Sequence, residues 1–165
     1  MRKSVIPCIV VGAVGLALTG GVAYAATTTS TFGVDVTIQA QCLINSASTL
    51  SFGTQGVLIA NVDQTSTIVV QCTNTTTYDI GLNAGTGSGA SVATRKLTGG
   101  GATINYSLYT NAGRSTVWGN TVSTDTVSAT GNGAAQSYTV YGRIPAQTTP
   151  APAAYSDTIT ITVTY

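Results

Sequence analysis

The chain contains no histidine and no glutamate, and only 7% of its 165 residues are charged. Without histidine it lacks the commonest general base and the commonest metal ligand, which closes most hydrolytic and metal-centred chemistry to it. Its only acids are five aspartates, at positions 35, 63, 79, 125 and 157. They are scattered, and nothing in their spacing marks two of them as a glycosidase pair. Cysteine is scarce as well, at three residues, and Trp118 is the single tryptophan. No catalytic residue, cofactor or metal ligand is expected.

Residues 1–25 have the three parts of a secretory leader. Arg2 and Lys3 form a basic start, "VIPCIVVGAVGLAL" an apolar core, and Ala23–Ala25 ("AYA") a small-residue cleavage point. An N-terminal membrane anchor is the other reading, but the apolar run is short for a span of about 20 residues. Cys8 lies inside that run and leaves with it. The expected mature chain, Ala26–Tyr165, is long enough for one domain with a real core. It has no second apolar stretch long enough to cross a membrane. Arg95, Lys96, Arg114 and Arg143 stand against the five aspartates, a net charge of about −1 that offers nucleic acid no footprint.

Cys42 and Cys72 remain. In an exported chain an even pair is most simply a disulfide, and closing such a loop contributes about 3–4 kcal/mol in the chain-entropy model. A metal or catalytic thiol pair would need a histidine or CxxC companion, and there is none.

Threonine, valine and isoleucine dominate what is left, and they favour strands. Ser30–Cys42 reads "STFGVDVTIQAQC", with Phe32, Val34, Val36 and Ile38 at every second position. That is the period of a strand with one apolar face. Further strands are expected at 50–53, 57–61, 66–72, 77–85, 103–110 and 135–144. The last, at 156–165, has Ile159, Ile161, Val163 and Tyr165 on one face and threonines on the other. A one-residue slip would move every apolar group of it into water, so its register is tightly specified. No strand follows to cover its edge, and a bare edge is a template for another chain. The stretches at 85–91, 98–103, 130–133 and 145–154 are rich in Gly, Asn or Pro and read as loops. Short strands with such punctuation point to an all-β sandwich of one domain.

Other motifs weigh little. "GTGSGASVATRK" lacks phosphate-loop spacing and reads as a flexible loop. Arg114 and Trp118 are a hairpin arginine and a core or edge tryptophan, or else a sugar contact. Asp157, just before the terminal strand, suits a turn or strand-end hydrogen bond.

The stretches "AQCLINSASTLSFG" (40–53), "TIVVQCTNTTTYDIGLNAG" (67–85), "INYSLYTNAGRSTVWGN" (104–120) and "YGRIPAQTTPAPAAYSDTITITVTY" (141–165) resemble the spore coat protein U domain. That domain is similar to the subunits of archaic, Csu-type chaperone–usher pili. The resemblance implies an incomplete immunoglobulin-like β-sandwich, residues 41–165, that lacks its last strand. It also implies an N-terminal donor-strand arm, residues 26–40. A periplasmic chaperone would lend the missing strand, an outer-membrane usher would export the subunit, and a neighbouring pilin subunit's arm would then fill the gap. Phe32, Val34, Val36 and Ile38 would be the donor residues; Ile159, Ile161, Val163 and Tyr165 would line the acceptor groove. The product would be a head-to-tail homopolymer or mixed fibre on the cell surface, serving adhesion and biofilm formation. Two other readings stay open: a self-contained secreted coat or matrix module whose N-terminal strand completes its own sandwich, and a carbohydrate-binding module with an aromatic platform at Trp118.

Overall fold

The structure is a computed structural model that describes residues 24–165. The leader reading falls outside it, except for Tyr24 and Ala25. The chain divides into two units between Val36 and Thr37. In the first, the described residues, 24–36, are exposed and belong to no ladder, so the expected opening strand has the right alternation but no partner.

The second unit is built from eight strands and, among the described residues, no helix. They are β1 (Cys42–Ala47), β2 (Val62–Cys72), β3 (Thr77–Leu82), β4 (Arg95–Gly99), β5 (Ala102–Tyr109), β6 (Val127–Thr130), β7 (Ala135–Ile144) and β8 (Ile161–Thr164). Two sheets form, ordered β1-β2-β7-β5-β4 and β6-β3-β8, and every pairing is antiparallel. This is an immunoglobulin-like sandwich with its core between the layers.

The core follows from strand alternation. Ile68, Val70 and Cys72 of β2, Tyr78, Ile80 and Leu82 of β3, and Val140 and Ile144 of β7 turn inward and are buried. Cys42 faces Cys72 in the β1–β2 ladder and is bonded to it, so the staple ties the edge strand to its neighbour. The β4–β5 hairpin turns on Gly100 and Gly101, at φ 54° and 75°; two successive positive φ values are what a type I′ turn needs.

Several expectations need correcting. Residues 50–53 and 57–61 are loop: Leu50, Phe52 and Leu58 reach the core, but their main chain joins no ladder. The terminal strand's ladder covers only Ile161–Thr164, opposite Asp79–Leu82; before it, Ser156 makes an isolated bridge to Thr98, and the N–H groups of Thr158 and Thr160 donate to the side chains of Asp157 and Asn83. β1, β4 and β6 were not expected from local pattern. β4 (RKLTG) is charged and β6 (VSAT) is four residues long, so neither carries a clear alternation.

Candidate functional site: an open cleft between two edge strands

β1 is an edge of one sheet and β8 an edge of the other. Between the end of β1 and the start of β8 the sandwich is open, as a cleft of about 310 Å³. Ala47, Leu50 and Phe52 form one wall, Thr158, Ile159 and Ile161 the other, and Ile68, Leu108 and Val140 of the core make the floor. The core is therefore reached directly from outside at this seam.

A β-bulge shapes the β1 side. Ile44 pairs with Val70, but Ser46 pairs with Val69 and Ala47 with Ile68. The extra residue, Asn45, switches which side chains face inward. Ile44 shares the face of fully buried Val70, yet it is 43% exposed. It stands on the open edge of its sheet, outside the lining of the cleft.

The expected groove residues are split by the structure. Ile159 and Ile161 line the cleft. Val163 sits opposite Ile80 and packs against the core, outside the lining, and Tyr165 lies past the ladder and is 59% exposed. The reason is that the cleft occupies only the end of the seam where β8 begins. Leu50 and Phe52 were missed as site residues; their signal was the alternation in "LSFG", which reads equally as a strand. Gly142 lies beneath them, so close that a methyl group there would press on both side chains.

The one charged group in the lining is Asp157. Its Oδ1 accepts hydrogen bonds from Thr86 N–H (2.7 Å), Thr86 Oγ1 (2.9 Å) and Thr158 N–H (2.8 Å). Its Oδ2 accepts from the Tyr106 hydroxyl at 2.7 Å. Burial pushes the carboxyl up, but the hydrogen bonds from Thr86, Tyr106 and Thr158 outweigh it and hold the group below its usual value. Burial, together with the same Asp157 bond, raises the Tyr106 phenol. Asp157 is thus fully occupied in fixing the chain and has no second carboxylate beside it in the cleft.

Behind this wall Arg95 is fully buried, donating to the carbonyls of Leu82, Asn83, Val92 and Trp118 at 2.7–2.9 Å. Trp118 is 1% exposed and its Nε1–H donates to Ile80 O at 2.7 Å. It offers no platform to a sugar. Arg114 is spent on Gly142 O (3.1 Å) and Asp63 (3.3 Å). Among the described residues no group of acids or cysteines is arranged to hold a metal ion.

In the N-terminal segment, Phe32, Val34, Val36 and Ile38 are exposed at 88%, 83%, 83% and 75%. Four large apolar side chains on one face, all in water, form an unsatisfied strand face.

Fold and site together define a class: an antiparallel sandwich with an open seam and an apolar N-terminal segment. The chain belongs to the spore coat protein U domain family, whose model matches residues 28–162. It is 33% identical to Protein U of Myxococcus xanthus over 158 residues, covering 87% of this chain and 88% of the relative. It is also similar to a chain in the crystal structure of the CsuC–CsuE chaperone–tip adhesion subunit pre-assembly complex, from the archaic chaperone–usher Csu pili of Acinetobacter baumannii. The TM-score is 0.57 at 25% identity, over 78% of this chain and 40% of that one.

Proposed function

We propose that this protein is a structural pilin subunit of a chaperone–usher surface fibre and polymerises by donor-strand complementation. The observation that carries the reading is the pairing of an open cleft between β1 and β8 with an exposed arm of matching period. An extended segment laid along an open sheet edge gains main-chain hydrogen bonds, while alternate side chains enter the groove. Phe32, Val34, Val36 and Ile38 are the donor residues, and Ile159 and Ile161 are the acceptor positions best placed to meet them. Burying each large side chain is worth about 1.5–3 kcal/mol, offset in part by the entropy of ordering the arm. One donor and one acceptor per copy give a head-to-tail contact, which propagates as an open filament.

Residues 1–25 direct export to the periplasm, residues 26–40 form the arm, and residues 41–165 form the pilin domain. A periplasmic chaperone covers the cleft in transit, an outer-membrane usher passes the subunit outward, and a neighbour's arm replaces the chaperone. The fibre serves adhesion and biofilm formation at the cell surface, and the subunit is not an enzyme.

The test is an unboiled SDS gel of the protein co-expressed with its chaperone and usher, comparing the intact chain with one lacking residues 26–38. A ladder that collapses on boiling and vanishes with the arm is the expected result. A stable folded monomer from the intact chain without chaperone, unfolded by the same deletion, would instead establish a self-contained coat module.

A further inference from the structure

The two ends of the body are unlike. At one, β2 begins opposite the end of β7 (Val62 against Ile144), and the cleft opens nearby. At the other lie the Cys42–Cys72 staple, the Thr73–Thr76 turn and the loop leading into β7 at Ala135.

The cleft end carries an apolar feature that the sandwich does not use. In the β1–β2 loop, Val57 and Ile59 are 74% and 83% exposed. Leu58 between them is 3% exposed and anchored, its N–H donating to Thr149 Oγ1 at 2.8 Å and its carbonyl accepting from Gln147 N–H at 2.9 Å. Ile59 N–H closes a tight turn on Val57 O at 3.0 Å. Two apolar side chains are therefore held in water by a fastened loop. Held side by side at one loop tip, they are apolar surface available to a partner.

Chain length identifies the occupant. Only Gln39, Ala40 and Gln41 separate Ile38, the last donor residue, from Cys42, the first residue of β1. Fully extended, that interval spans about 14 Å. The body that owns an arm must then sit directly against the cleft that receives it. An arm adding to β8 in the antiparallel sense, as all ladders here run, travels from the staple end toward the cleft end and finishes there with Ile38. The next body starts at that point, staple end first.

We propose that Val57 and Ile59 of one copy rest on the staple end of the next copy, against the Thr73–Thr76 turn and the Asn132–Ala135 loop. This rests on the donor-strand reading and extends it to a body-to-body contact. Neither of those two segments contains a charged residue, so covering them desolvates no ion. Leu43 at the start of β1, 55% exposed, adds apolar surface beside them. The contact fixes the angle between successive bodies and makes the fibre stiff, where a bare three-residue linker would let them swing.

The experiment places the photo-crosslinker p-benzoylphenylalanine at Val57 in fibres assembled with chaperone and usher, followed by digestion and mass spectrometry. The expected cross-links join position 57 to peptides containing residues 73–76 or 132–135 of a second copy, and they disappear when the arm is deleted. A normal multimer ladder whose cross-links go elsewhere, or nowhere, overturns the contact and leaves the donor-strand reading standing. Absence of any ladder from the unmodified chain overturns that reading and this one with it. As a second readout, the double variant Val57→Asp, Ile59→Asp is expected to keep the ladder and to lower fibre persistence length in electron micrographs at least twofold. Unchanged stiffness would overturn the proposal.

Discussion

The hydroxyl of Tyr106 donates to Oδ2 of Asp157 at 2.7 Å, tying β5 to the segment that enters β8. This bond crosses 51 residues of sequence and fixes the place where one wall of the cleft begins. Gly85, at φ 84°, lies so near the carboxylate that any side chain there would collide with it.

Asp157→Asn should lower stability at pH 7 by about 1–3 kcal/mol, since it weakens the charge-assisted bonds to Thr86 and Thr158 and turns the acceptor that faces the Tyr106 hydroxyl into a donor. Because the folded carboxyl is held below its ordinary value, its contribution is complete above about pH 4 and is lost as the pH falls through the folded value. Asp63 and Asp79 are lowered too and share the acid loss, so the comparison is between variants. Urea titrations at pH 7 and pH 3 should show a clear gap between wild type and variant at pH 7 that is smaller at pH 3. An equal gap at both would mean the carboxylate charge is irrelevant.

Arg95→Leu should be among the most damaging single changes. It takes the donor from four carbonyls, those of Leu82 and Trp118 at buried bonds and those of Asn83 and Val92 at partly buried ones, at about 1–3 kcal/mol for each that water cannot reach. The expected result is little or no folded protein in the soluble fraction; a variant within about 1 kcal/mol of wild type by denaturant midpoint would contradict this account.

Trp118→Phe removes the donor to Ile80 O and part of a fully buried ring. A loss of about 2–4 kcal/mol is expected from the orphaned carbonyl and the space left behind. It would appear as a lower urea midpoint with an unchanged slope.

Replacing both Cys42 and Cys72 with serine should cost about 3–4 kcal/mol in the chain-entropy model. β1 is an edge strand with one neighbour, so its amides should lose hydrogen-exchange protection before those of β2 and β7. Uniform loss across the sheet would show that the staple acts on the whole domain.

Thr75 occupies the left-handed region at φ 65°, an unfavourable place for a β-branched side chain. Thr75→Gly is expected to raise stability by about 0.5–1 kcal/mol, read as an increase in the thermal midpoint.

Sequence by itself determined the strand-rich class, because threonine, valine and isoleucine at period 2 fit nothing else of this length. It also determined β7, legible at its observed bounds, and the staple, because a cysteine pair with no histidine or CxxC companion has few alternatives. The apolar face at Phe32–Ile38 was equally plain from alternation alone. Only the tertiary structure decided which apolar runs become strands, since a strand exists by its partner and not by its pattern. "VLIAN" looks like one and is a loop, pinned through Leu58 to Gln147 and Thr149, while charged "RKLTG" is one because Ala102–Tyr106 lies beside it. The cleft belongs to the same category. It is made where the edges of two sheets fail to be bridged, and that vacancy depends on the order of strands in space, which no local window of residues contains.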